Sequence, residues 1–328
     1  MATEPYILLS DHFSDHLYPK EANIFHILLA TMDKNWGLAV IILNWNNAVS
    51  TLECLSMISA WSGLKVEVII VDNGSSEEDL SRLSGLNQGF ALIKNKTNKG
   101  FAGGNNAGIT FALEKGFSYI MLLNSDAMIQ KQCIMKLLEY MNQDPIIGVL
   151  GPLIEEKGRV FAGGRNIGVY SNTRIPYKPE NGDTAFREVD YVPGTVLLAR
   201  GDAFRKAGLL DEEFFFSGEI ADFCRRVRLS GLKCAVYQKC QAIHAPDNEL
   251  TARETLYNYY TLRNRFLFVR NHFRYSKNIF ILRWIAAGVM QILLARISGR
   301  RTRADALWLG LKDGISGRFG DRNDQFHR

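Results

Sequence analysis

Three stretches of the chain are apolar runs of five or six residues that stop abruptly at small polar side chains. Leu38 to Leu43 ends in Asn44-Trp45-Asn46-Asn47, Val66 to Val71 in Asp72-Asn73-Gly74-Ser75-Ser76, and Tyr119 to Leu123 in Asn124-Ser125-Asp126. Runs without strict alternation predict strands covered on both faces, the signature of a parallel sheet. Between them the pattern predicts helices over Val49 to Ala60 and around Glu77 to Leu83. A short strand is predicted near Ala91-Leu92-Ile93. A glycine-rich turn from Gly100 to Gly108 then opens a helix reaching Lys115. Strands alternating with helices in this order predict an α/β sheet with right-handed crossovers.

Ligands of such sheets bind at the carboxyl ends of the strands. The three polar strand ends are therefore candidates for one shared site, although Asn, Asp, Ser and Gly also form ordinary turns. The turn Asn98-Lys99-Gly100-Phe101-Ala102-Gly103-Gly104-Asn105 has two readings. Its glycines and the helix N-terminus could approach an anion, or the turn could pack tightly on the sheet. It lacks the G-x-G-x-x-G spacing after the first strand, and no phosphate-loop pattern occurs. Dinucleotide-dehydrogenase and phosphate-loop chemistry are therefore not indicated.

Composition changes the picture little. The chain has 328 residues, 47% hydrophobic and 22% charged, which excludes global disorder and coiled coil. Its five cysteines form no zinc spacing, so unpaired thiols in a reducing compartment are expected and no structural zinc. Residues 1–36 lack the pattern of a secretory signal and read as an N-terminal extension with one short helix around Glu21 to Met32.

Charge distribution changes more. Residues Arg253 to Arg328 hold 15 Lys/Arg and 5 Asp/Glu, a net +10, while the whole chain is +5. The basic charge belongs to a C-terminal segment, residues 253–328. Within it Ile279 to Ile297 is apolar, with an uncharged run of 12 residues from Trp284 to Ala295, short for a membrane span. An in-plane amphipathic helix on an anionic membrane surface is the expected reading. A packed helix pair or a homodimer interface is the alternative. Tyr257 to Arg265 mixes aromatics and cations, but no nucleic-acid module surrounds it and no nucleic-acid partner is expected.

Asp126 stands directly after an apolar strand, where a carboxylate suits Mg²⁺ or Mn²⁺ bridging phosphates. His244 matters if the fold brings it near Asp126. Glu219 and Asp222 are three apart, on one side of a helix. They follow Phe214-Phe215-Phe216 and suit a general base beside an apolar pocket. First-turn acids also favour any helix.

From about Leu38 to Phe273 these blocks, in this order, resemble the inverting nucleotide-sugar glycosyltransferases of family two. Within it they look like the rhamnosyltransferase-like branch that builds surface polysaccharides. The resemblance implies the GT-A fold: a Rossmann-like, mostly parallel central sheet flanked by helices, here with a C-terminal helical extension. The catalytic domain would be residues 37–252, its nucleotide half reaching about 126 and its acceptor half following. The donor would be a nucleoside-diphosphate sugar of UDP or dTDP type, dTDP-rhamnose among them. The acceptor would be a hydroxyl of a saccharide or lipid-linked molecule. Asp72 would bond the base, with Asn44, Asn46 and the turn after the first strand lining its pocket. Asn98, Gly100 and Asn105 would lie along ribose and diphosphate. Asn124-Ser125-Asp126 matches the D-x-D motif, with Asp126 and His244 holding Mn²⁺ or Mg²⁺. The usual base position is Ile220, so Glu219 replaces it, with Asp222 second. The expected place of work is the cytoplasm or the inner face of the cell membrane. A nucleotide-sugar binder without catalysis and a basic membrane scaffold stand as the other readings.

Overall fold

The computed structural model describes residues 37–84, 89–179, 184–245 and 251–326. The helix expected at Glu21 to Met32 lies outside them. Strands β1 (Leu38–Asn44), β2 (Val66–Asp72), β3 (Phe90–Lys94) and β4 (Tyr119–Leu123) form a parallel half-sheet in the order β3-β2-β1-β4. Helices α1 (Ala48–Ser59), α2 (Glu77–Ser84) and α3 (Gly100–Glu114) make the crossovers.

Burial explains the unbroken runs. Leu38, Val40 and Ile42 of β1 enter one buried cluster, and Ala39 and Ile41 enter another. Successive side chains point to opposite faces, so a strand covered twice is apolar at every position. The order also places a topological switch between β1 and β4, since the chain leaves β3 at one edge and returns beyond β1.

The second half of the sheet is mixed. Beyond β5 (Ala127–Met128) and α4 (Lys131–Gln143) come β6 (Ile147–Glu156), β7 (Arg159–Gly164), β8 (Arg174–Pro176), β9 (Phe186–Glu188) and β10 (Val196–Arg200). Strand β10 runs antiparallel between β4 and β6. After α5 (Gly201–Ala207) and α6 (Glu219–Leu229), β11 (Lys233–His244) lies parallel to β6 and ends antiparallel to β5. The parallel character read from the sequence thus belongs to the first half.

Helices α7 (Thr251–His272), α8 (Lys277–Ile297) and α9 (Arg301–Ser316) close the chain. They share a cluster of Leu262, Phe266, Val269, Trp284, Ala295 and Leu307. The expectation of unpaired thiols is corrected at one pair, because Cys133 of α4 and Cys240 of β11 form a disulfide. Their separation of 107 residues gives no spacing signal. Cys54, Cys224 and Cys234 are free and buried.

Candidate active site

At the carboxyl ends of β1 and β2, Asn44 is fully buried. Its amide donates to Asp72 Oδ1 at 3.1 Å, Ser75 Oγ at 3.1 Å and Asp79 Oδ2 at 2.8 Å, and its carbonyl accepts from Thr51 at 2.9 Å. Asn44 therefore orients the Asp72 carboxylate rather than facing solvent. Asn46 adopts φ 50° and its side chain accepts from the Ser76 amide, shaping the rim beside exposed Trp45.

Asn73 is a hub that the sequence reading did not single out. It donates to Asn98 Oδ1 at 2.9 Å and the Gly100 carbonyl at 3.0 Å, and accepts from Asn95 and the Lys99 amide. The strand end and the glycine-rich turn are thus one hydrogen-bonded unit.

That turn is not organised as an open anion cradle. The Lys99 amide bonds Asn73, the Gly100 amide bonds Asn98, and those of Phe101 and Ala102 bond the Phe215 carbonyl at 2.7 and 3.3 Å. Asn105 turns its amide back to the Phe101 carbonyl. Packing accounts for the glycines. A Cβ on Gly104 would lie 2.4 Å from Leu43, and one on Gly108 2.7 Å from Ile41. Gly100, at φ +70°, would bring one within 2.3 Å of the Phe215 oxygen. Of the two readings of this turn, the tight turn packed on the sheet fits the hydrogen bonds.

Beyond β4, the Asn124 amide bonds the Thr195 carbonyl at 3.0 Å, and Asn124 and Ser125 stand half-buried in the turn before β5. The register pairs Ala127 with His244. It sets His244 Nε2 3.2 Å from Asp126 Oδ1, while Nδ1 lies 2.9 Å from Glu156 Oε2. Arg174 meets the same Glu156 oxygen at 3.0 Å. Burial alone would lower the imidazole pKa, but the two carboxylates outweigh it and raise His244 to about 9. The hydrogen bond from His244 takes Glu156 down to about 2 against the opposing effect of its burial, with Arg174 helping. Glu156 and Arg174 carried no motif signal. A carboxylate behind a histidine is the usual support of a metal-ligating imidazole.

Residues 213–218 form the second wall. Phe215 has φ 60° and ψ −59°, and the Phe216 amide bonds the Phe214 carbonyl at 2.6 Å. This is a γ-turn of the rare strained hand. Ser217 follows at φ 71° and Gly218 at φ 111°. Non-glycine residues held so cost about 1–3 kcal/mol each and persist where their surroundings over-determine them. Gly218 ends the turn and α6 begins at Glu219.

Glu219 is 5% exposed, and its Oε2 has no hydrogen-bond partner among the described residues. Burial, with a smaller contribution from Asp222, raises its pKa to about 7 despite an opposing backbone hydrogen bond. Asp222 differs. Its oxygens are taken by Arg226 of α6 at 2.7 Å, an ion pair within the helix, and by His272 Nε2 at 2.7 Å, a hydrogen bond to α7. Ile220 packs into the core, and its side chain and that of Phe101 both crowd Gly194. Gly194 precedes Thr195, the partner of Asn124, so this wall adjoins the end of β4.

A family profile, Glycosyl transferase family 2, matches residues 39–207. A low-salt glycan biosynthesis hexosyltransferase, Agl10, of Haloferax volcanii is 29% identical over 70% of this chain and 74% of its own length. The dTDP-rhamnosyl transferase RfbF of Shigella flexneri is 23% identical over 73% of this chain and 82% of its own. Among solved structures, GalNAc-T7 with UDP, GalNAc and Mn²⁺ superposes with a TM-score of 0.59 at 17% identity, covering 85% of this chain. The chain spans 56% of that protein's length. The mannosyltransferase PcManGT of Pyrobaculum calidifontis, in complex with GDP-Man and Mn²⁺, gives 0.57 at 11% identity, over 90% of this chain and 95% of its own. These likenesses show a GT-A fold.

Proposed function

The chain belongs to glycosyl transferase family 2, and from that premise we propose that it moves a sugar from a UDP- or dTDP-type donor to an acceptor hydroxyl with inversion. A saccharide or lipid-linked molecule of surface polysaccharide synthesis is the acceptor, and dTDP-rhamnose is among the donors. That it is a glycosyltransferase acting on nucleotide sugars follows from the family. The observation carrying the rest is the Asp126–His244 pair at the switch point, with the buried Glu219 carboxylate in the neighbouring wall.

Inversion is a single in-line displacement. The acceptor oxygen bonds the anomeric carbon while the bond from that carbon to the phosphate oxygen breaks. The acceptor proton passes to Glu219, and the nucleoside diphosphate leaves with the bonding pair. A carboxylate with a pKa of about 7 is half deprotonated near neutral pH and basic enough to take that proton. Asp72, oriented by Asn44, binds the base, and Asn46 shapes the rim beside it.

The residues beyond β4 fit a divalent metal. An imidazole nitrogen and a carboxylate oxygen brought 3.2 Å apart are donors that a divalent ion accepts. Asp126 and His244 would hold Mn²⁺ or Mg²⁺, the metal displacing the imidazole proton, with Glu156 orienting His244. Bound there, the ion would supply positive charge for the departing diphosphate.

The C-terminal helices support work at a membrane. One face of α8 packs through Trp284, Gly288 and Ala295. The other exposes Ile279, Leu282, Met290, Leu293 and Ile297 to solvent. No acid occurs from Lys277 to Arg303, where six Lys/Arg stand. The helix is thus apolar on its packed face and on its exposed face. Cations flanking an apolar stripe suit anionic lipid and disfavour a second copy carrying the same charge.

A thermal-shift panel of UDP, dTDP, GDP and CDP, each with and without Mn²⁺, tests the reading. UDP or dTDP raises Tm by several degrees near 100 times Kd, and more with Mn²⁺. No shift with any diphosphate overturns it.

A further inference from the structure

The turn before Glu219 is held by a helix from the far end of the chain. Every carbonyl from Glu213 to Ser217 has a donor, although the two positive φ values keep the segment out of regular structure. Asn264 of α7, 1% exposed, donates its side-chain amide to the carbonyls of Phe214, Phe216 and Ser217. Arg263, fully buried, donates to those of Glu213 and Phe214 at 3.0 and 2.9 Å. It also bonds Asn264 Oδ1 at 2.8 Å, which aims the amide at the turn. The Phe215 carbonyl faces the other way and receives the first amides of α3. The Phe215 ring stacks on Tyr260 of α7 with centroids 5.3 Å apart, and Arg263 lies 4.6 Å over that same Tyr260 ring.

The geometry points to Asn264 as a positioning residue for Glu219: with Arg263 it fixes the 213–218 turn, and so sets where the first carboxylate of α6 meets the acceptor hydroxyl. This rests on Glu219 being the base. Asn264 touches no reacting atom. It acts by supplying donors to the Phe216 and Ser217 carbonyls, because a buried unpaired carbonyl is costly and the segment would otherwise rearrange. The asparagine amide is suited to this task, since its two hydrogens reach several acceptors from one short side chain.

The test uses Asn264→Ala and Asn264→Asp in the full chain. Aspartate keeps the shape and loses the donors. Turnover is expected to fall at least about 30-fold in both, with donor KM and the Tm shift from nucleoside diphosphate within about twofold of the parent. Amide exchange across residues 213–218 is expected to rise about tenfold or more while β1 stays protected. A variant at full turnover, or one whose donor binding falls in step with turnover, overturns the proposal. If both variants fail to fold, Asn264→Ser, which keeps one donor, takes their place. In the parent protein the Phe101, Ala102 and Phe216 amides are expected to exchange as slowly as those of β1, and fast exchange there also overturns it. Full activity of Glu219→Gln would remove the base assignment by itself, and the exchange measurement would still report on the clamp.

Discussion

The Asp126 carboxylate lies 3.2 Å from His244 Nε2, although the two residues come from opposite halves of the chain. A two-residue strand, β5, brings them together by pairing with the end of β11. The Asp126 carbonyl also accepts from the Ala245 amide at 3.0 Å. Substituting Asp126 by Ala should abolish the extra Tm rise that Mn²⁺ gives with UDP or dTDP. The smaller rise with nucleotide alone should remain, because Asp72 lies elsewhere. Nucleotide titrations by thermal shift with and without Mn²⁺ check this.

Glu219 predicts opposite signs for activity and stability. Its folded pKa of about 7 stands above the ordinary 4.5, so the native state binds the extra proton between those values. The group therefore favours folding most below pH 4.5, and stability is lost as pH rises toward 7. Glu219→Gln should lower turnover more than about a hundredfold and raise Tm at pH 8. The gain is at most about 3 kcal/mol, from linkage over that pH range. Melting curves at pH 5 and pH 8, with the difference growing toward pH 8, check the sign. The parent's turnover should fall about tenfold per pH unit well below pH 7.

Asp222 should behave as a structural residue. Replacing it by Asn leaves Arg226 and His272 without their buried acceptor charge, a loss of about 3–5 kcal/mol for a broken buried pair. Urea denaturation should show that loss, while turnover per folded molecule stays near that of the parent. A hundredfold fall in turnover with unchanged stability would instead make Asp222 the base.

The glycine-rich turn predicts a packing defect. A Cβ on residue 108 would sit 2.7 Å from Ile41 and 3.1 Å from Val71, both within the sheet core. Gly108→Ala should destabilise by about 1–3 kcal/mol, as overpacking does. Tm and the urea midpoint should fall together, with the affinity of the folded fraction for nucleotide unchanged.

The apolar stripe of α8 predicts binding to anionic but not neutral vesicles. Met290→Glu with Leu293→Glu should abolish flotation with anionic liposomes and leave Tm unchanged, since both side chains are exposed. These substitutions are cleaner than removing the tail. Tyr259 bonds Asp313 at 2.7 Å and Arg263 bonds the Gly320 carbonyl at 2.6 Å, so deletion would also strip the support of α7.

The architecture of the first half can be read from the amino-acid pattern alone. Strands covered on both faces are apolar along most of their length, and the chain turns polar where they end, so β1, β2 and β4 and their polar carboxyl ends were legible without coordinates. The ordered blocks identified the family for the same reason, since they are local and contiguous. The tertiary structure decided which partners each polar group meets. Asp72 was the expected base contact with Asn44 beside it, and the fold buries both and sets the Asn44 amide on Asp72 Oδ1. The partners of the glycine-turn amides, Asn73, Asn98 and the Phe215 carbonyl, were likewise set by the fold. Glu219 and Asp222 stood on one helix face until Arg226 and His272 occupied one of them. Glu156, Asn264 and the Cys133–Cys240 bond carried no signal, because each acts through a residue far away in sequence. Periodicity reports the face a residue presents, and strand register and helix docking decide what stands opposite it.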